Sequence, residues 1–191
     1  MQFDKRYLFI MIILVIFISS VEAADVRTIP MDMNLIIDSS DSFKEVKNDA
    51  IAWLNSQVID RILLDGDKIT VWAAGDRAQV IYSDTLSASG GKKGLKDKLQ
   101  TLNVGGKTAD FSGALRELMP KVSQTAPERL AYTMLLTASA EGLEPTLTGS
   151  AQGLLRWFRS EKYSRWQVLI VAPDIGKKVQ QSAAAYMASL R

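Results

Sequence analysis

The sequence of 191 residues contains no cysteine and no histidine. Without cysteine there is no disulfide, no thiolate nucleophile, no sulfur ligand for zinc and no site for a thioether-linked lipid. Without histidine the commonest metal ligand and general base is missing, and with it any Ser-His-Asp triad. Proline is also scarce, at five residues, and charge of one sign is not in excess: 23 Lys and Arg against 21 Asp and Glu give a formal net charge of +2. A balance so near neutrality names no partner. It provides no electrostatic footprint for nucleic acid.

What is present begins with a leader. Lys5 and Arg6 precede an uninterrupted apolar run over residues 8–18, and Val21 and Ala23 are the small residues that a signal peptidase reads. A spanning helix needs roughly 20 apolar residues, about twice this run. Residues 1–23 therefore read as a cleaved signal peptide. The protein is expected to be exported, either periplasmic or secreted, with the membrane touched only through this segment if it stays uncleaved. Removing it takes away Asp4, Lys5, Arg6 and Glu22, so the charge is unchanged. Subtracting 23 residues from 191 leaves 168, the size of one domain, 24–191, with no linker-like division.

Hydrophobic periodicity orders that domain. Residues 33–37 form a short apolar run ending in the polar cluster Asp38-Ser39-Ser40-Asp41-Ser42, which predicts a buried strand and a loop. Phe43, Val46, Ala50, Leu54 and Val58 then recur at helical spacing. Two β-rich runs, 68–74 and 78–83, are separated only by Gly75-Asp76-Arg77, a link short enough to join only antiparallel neighbours. Residues 87–98 predict a surface loop passing into a short helix. Phe111, Ala114, Leu115, Leu118 and Val122 mark a helix ending at Pro120 or soon after. Strands are expected at 131–137 and 166–172, and helices at 150–159 and around Val179, Ala183, Met187 and Leu190. Together these give an α/β fold: a doubly wound, mostly parallel sheet with one antiparallel edge hairpin and helices on both faces.

In such a sheet ligands bind beyond the carboxyl ends of the strands. Three loops fall there: 38–42, the 105–110 region, and 137–141. The first reads Asp-x-Ser-x-Ser, the second carries Gly105-Gly106 ahead of Thr108, and Gly66-Asp67-Lys68-Ile69 leads into the hairpin. On these residues and on element order from about 32 to 190, the chain resembles the von Willebrand factor type A family. That resemblance implies a Rossmann-like domain without the family's last strand, and a metal-ion-dependent adhesion site at which a protein partner docks. Matched residue by residue, the implied metal ligands are Asp38, Ser40, Ser42 and Thr108, and the implied ion is Mg2+. Magnesium takes about six oxygens and keeps some waters, so hydroxyls and a carboxylate suit it.

The sequence departs from the family at three places. Leu135-Leu136-Thr137-Ala138-Ser139 has Ala138 where the family has a late aspartate, Asp41 replaces a glycine, and the register at Thr108 also allows Ala109 at the threonine position. A second reading of the first loop stays open: Ser42 with Glu45 has the spacing of a capping box, in which Asp38 and Ser40 would be turn formers.

Other signals are weaker. Gly106-Lys107-Thr108 resembles the end of a phosphate-binding loop, but Thr101 stands where that motif needs glycine. Ser89 and Lys92 have the Ser-x-x-Lys spacing of serine hydrolases, without the helical context. Basic and aromatic residues interleave from Arg156 to Trp166, a pattern that core burial of Phe158 and Trp166 explains without nucleic acid. The reading is a non-enzymatic binding or scaffold module with a protein partner. The alternatives are a structural subunit whose site has decayed, or a hydrolase built on Ser89 and Lys92. The processed chain is expected to begin at Ala24; mass spectrometry that found residues 1–23 retained on a membrane-bound form would overturn this.

Overall fold

The structure, a computed structural model, describes residues 27–138, 143 and 161–172. The expected signal segment 1–23, the expected helix at 150–159 and the expected C-terminal helix around Val179 to Leu190 lie outside these residues.

Five strands form one sheet in the order β3-β2-β1-β4-β5. They are β1 Met31–Asp38, β2 Lys68–Ala74, β3 Ala78–Thr85, β4 Leu130–Leu136 and β5 Trp166–Val171. All neighbours run parallel except the β2–β3 hairpin. The expected architecture is thus the observed one, and β1 lies at its centre between β2 and β4.

A central parallel strand is covered on both faces, which explains why β1 reads as a continuous apolar run rather than an alternating one. Met31, Met33, Leu35 and Ile37 point to one face, where they pack with Phe43, Ile51, Leu54, Val58, Leu95 and Leu99. Ile36 points to the other, with Trp72, Phe111, Leu115, Leu118 and Leu135. Helix α1 (Lys47–Trp53) and helix α2 (Gly91–Gln100) cover the first face, and α3 (Phe111–Val122) covers the second.

One element differs from the periodicity, while α3 ends where the periodicity puts it. The stretch predicted as one helix from Phe43 is a 3-10 turn at Asp41–Phe43, then α1, then a π-helical segment at Leu54–Ile59. Its wider final turn brings Val58 and Ile59 together into the buried face. Helix α3 runs past Pro120 to Val122. A proline this close to the end costs only one late hydrogen bond.

The amino-terminal edge of the sheet is fixed by charge. Asp67, fully buried after the Asp65-Gly66 turn, accepts hydrogen bonds from the amides of Met31 and Leu64, both at 2.8 Å, and pairs with both guanidinium nitrogens of Arg27. Gly66 takes φ +87°, which glycine adopts without strain. Beside it Arg129 pairs with Asp32 at 2.5 Å and donates to the carbonyls of Met31 and Gly66.

Among the described residues no helix is long and apolar enough to cross a membrane. Replacing Asp67 should be the most costly change at this edge, because it leaves two amides without their acceptor and Arg27 with only the carbonyls of Ile29 and Ile62. Asp67→Ala is expected to lose about 3 kcal/mol of stability in urea unfolding; a loss under about 1 kcal/mol would mean that Asp67 does not hold this edge.

Candidate functional site

β1 ends at Asp38, and its carboxylate stays inside the protein: the residue is 2% exposed. The chain then turns sharply, and the turn is organised around that carboxylate. Oδ1 accepts from the amide of Ser40 at 2.8 Å and from its hydroxyl at 2.6 Å, while the Ser40 hydroxyl lies 2.8 Å from that of Ser42. Oδ2 accepts from the hydroxyl of Thr137, just beyond β4, at 3.0 Å. Among the described residues no basic side chain pairs with Asp38.

Three of the four residues singled out from the sequence, Asp38, Ser40 and Ser42, therefore form one hydrogen-bonded chain. It runs from the buried carboxylate to the exposed Ser42. The capping box is not formed. No side-chain cap hydrogen bond is made at the start of the 3-10 turn or of α1, and the Ser42 hydroxyl is turned to Ser40 instead.

The second loop reaches the first through its backbone. Ser39 O accepts from the amides of Gly105 and Gly106 at 3.0 and 3.2 Å, and Asp41 N donates to Gly106 O at 2.8 Å. Glycine suits position 106, since a Cβ would crowd backbone atoms, Asp76 N at 3.0 Å and Gly75 Cα at 3.2 Å. The fourth residue, Thr108, is exposed two positions further on. Its amide and hydroxyl bond to Asp76 Oδ1 at 3.0 and 3.3 Å, not to Asp38, Ser40 or Ser42.

Asp76, at the hairpin tip, also accepts from Lys107 N at 2.7 Å. Its carboxyl is held below the ordinary aspartate range, chiefly by the Thr108 amide, against some opposing desolvation and with help from Lys107. Ala138, where the resemblance would place an aspartate, is half-buried and packs against the core on the α1 face.

Thr137 and Asp76 were not singled out from the sequence. Thr137 touches Asp38 across 99 residues and Asp76 touches Thr108 across 32, so no local spacing could reveal either contact. The tail of the Leu135-Leu136-Thr137 strand was the one available signal.

The donor set is oxygen throughout: one buried carboxylate and two hydroxyls in mutual contact, with a third hydroxyl on Thr137. Hard cations take such donors, so these residues fit a magnesium-like ion. No group of three or more acidic side chains that could hold a metal ion occurs among the described residues. The hydrolase pair is not assembled: Ser89 lies 3.2 Å from Ser87, while Lys92 reaches the carbonyl of Asp60. Residues 95–102, where a phosphate-binding loop would need a strand, belong mainly to α2. Trp166 is buried and donates to Thr133 at 2.8 Å, and Arg165 binds the carbonyls of Pro127 and Arg129. Tyr163 packs against Trp166, with ring centroids 5.8 Å apart, and Lys162 lies over the Tyr163 ring; residues 156–159 lie outside the described residues.

No protein-family model matches the sequence. No curated protein matches it. Solved structures do. Proximal thread matrix protein 1 from the mussel byssus, with zinc in its MIDAS motif, aligns at 18% identity over 75% of this chain and 35% of its own, with a TM-score of 0.53. A second structure of that protein gives 12% identity, 75% and 37% coverage, and a TM-score of 0.54. A von Willebrand factor type A structure from Catenulispora acidiphila gives 16% identity, 81% and 42% coverage, and a TM-score of 0.48. The chain thus spans less than half the length of each, and at these identities the likeness is one of fold.

Thr137→Val keeps the side-chain shape but removes the donor to Asp38 Oδ2. It should cost about 1–3 kcal/mol by leaving a buried carboxylate oxygen unpaired. Unchanged unfolding in urea would place the Thr137 hydroxyl away from Asp38.

Proposed function

For a chain with the fold of a von Willebrand factor type A domain, we propose a binding or scaffold module, not an enzyme, that captures a protein partner at the carboxyl ends of β1 and β4. The observation that carries this reading is Asp38: a carboxylate 2% exposed whose hydrogen-bond donors are all neutral. A buried charge is costly unless something of opposite sign compensates it. Neutral hydroxyls at Ser40 and Ser42 lead from it to the surface.

Asp38, Ser40 and Ser42 would hold a divalent ion, Mg2+ by its taste for oxygen and retained water. Thr108 would serve from the adjoining loop if its hydroxyl left Asp76. Such an ion supplies residual positive charge at the surface, because one carboxylate does not neutralise it, and an acidic side chain of a partner would complement that charge. The fold neighbour with zinc in its MIDAS motif supports the cation. The absence of histidine and cysteine from the whole sequence, and the separate hydrogen bonding of Ser89 and Lys92, support binding over catalysis. Export through the leader at residues 1–23 would place the module outside the cytoplasm, either periplasmic or secreted. A structural subunit with a decayed site would instead be indifferent to divalent metal.

The test is a pair of melting curves with and without magnesium. At a tenfold excess over Kd the ion should add about 1.4 kcal/mol, a rise of a few degrees in Tm. Asp38→Asn and Ser40→Ala should abolish that rise, and Asp38→Ala with Ser40→Ala should abolish partner capture in pull-downs. A wild-type melt insensitive to magnesium and manganese would end the cation reading, and capture unaffected by the double change would put the partner on another face.

A further inference from the structure

The hairpin tip and the 105–110 loop are tied to each other in both directions, by contacts that the function proposed above does not use. Asp76 Oδ1, on the hairpin, accepts from Lys107 N, Thr108 N and the Thr108 hydroxyl. Asp110, on the loop, answers it: Oδ2 accepts from Ala78 N at 3.2 Å, Oδ1 accepts from Gly113 N at 2.8 Å, and Asp110 N donates to Gly75 O at 2.9 Å. Asp110 thereby caps α3 and holds the hairpin at once.

We propose that Asp76 is a positioning residue of the candidate site: its carboxylate holds residues 107–108 so that the loop that carries Thr108 stays seated on the Ser39–Asp41 turn. This inference rests on the cation and partner reading of that face.

The loop has two edges. One is fastened to the turn by backbone alone, through Gly105, Gly106 and the parallel bridge from Gly106 to Ser40. That fastening ends at Gly106. The two amides that follow, at 107 and 108, take a single carboxylate oxygen of Asp76 as their acceptor. Turn, loop and hairpin tip meet backbone to backbone at Gly106, where even a Cβ would come within 3.0 Å of Asp76 N and 3.2 Å of Gly75 Cα.

The Thr108 hydroxyl is kept by the longest of the three bonds to Asp76 Oδ1, 3.3 Å, and is the one most easily given up. The depressed pKa of Asp76 agrees with the arrangement, since donors that favour the ionised form also keep the acceptor charged. Groups that orient ligands in this way typically change metal affinity by about 10- to 100-fold when removed.

The experiment uses Mn2+ as the probe, read by electron paramagnetic resonance on the processed full chain, together with amide hydrogen exchange at Lys107 and Thr108. Wild type, Asp76→Ala, Asp76→Asn and Asp38→Asn are compared. Asp76→Ala should weaken Mn2+ binding about tenfold or more and deprotect both amides. Asp76→Asn, whose amide oxygen still accepts, should recover most of both. If Asp38→Asn abolishes binding but Asp76→Ala binds as wild type does, the positioning role falls and the site stands. Asp76→Ala and Asp76→Asn weakening binding equally, with the amides still protected, would mean that Asp76 acts by charge, which also overturns it. Wild type binding no Mn2+ removes both readings.

Discussion

Asp38 closes the central strand with a carboxylate that has almost no water to turn to, and the geometry around it follows from satisfying that group. One oxygen takes the amide and hydroxyl of Ser40, which bends the chain out of β1 at once. The other takes Thr137, which ties the end of β4 to the end of β1. The bend puts Ser39 O where Gly105 and Gly106 can reach it, so the second loop docks. A larger residue at 106 would push that loop away. The face is therefore built outward from one buried charge, and its parts are not independent.

How far the sequence foretold this depends on the range of each interaction. β2 was expected at 68–74 and lies at Lys68–Ala74, because Gly66 and Gly75 bound it on both sides. β3 runs two residues past the expected end at 83, to Thr85, where edge pairing with Lys68 carries it on. The helix from Phe43 was right in its buried face and wrong in its winding. Apolar spacing reports which residues face the core, and a 3-10 start and a π-helical end satisfy the same face. Asp38, Ser40 and Ser42 were legible because they lie two residues apart and meet locally. Thr137 and Asp76 were not, since each acts on a segment distant in sequence, and of Asp110's two roles only the local cap at Gly113 lies within the reach of spacing. The capping box failed for a related reason: Ser42 had a nearer partner in Ser40, which the motif does not consider.

The absence of cysteine finds its counterpart at the other edge of the sheet. With no disulfide to hold its amino-terminal segment, the chain uses arginine. Arg27 ties residues before β1 to Asp67 ahead of β2, Arg129 joins the start of β4 to Asp32 and Gly66, and Arg165 joins the start of β5 to the turn before β4. Each guanidinium spans several acceptors, which suits the gathering of parallel strand ends whose carbonyls and carboxylates would otherwise lack partners.

The two edges then answer the same physical problem differently. Asp67 and Asp38 are both buried aspartates next to β1, and each accepts hydrogen bonds from backbone amides or hydroxyls nearby. At Asp67 a guanidinium from the same chain balances the charge. At Asp38 the donors among the described residues are two hydroxyls and an amide, with no basic side chain beside them. Asparagine could not stand in for Asp38 unchanged, because its amide has a single acceptor oxygen and its nitrogen cannot accept the Thr137 hydroxyl that Oδ2 now takes. The aspartate at the carboxyl edge is thus held through both of its oxygens, one by the turn that leaves β1 and one by the end of β4, and the hydroxyls of Ser40 and Ser42 link it to the surface.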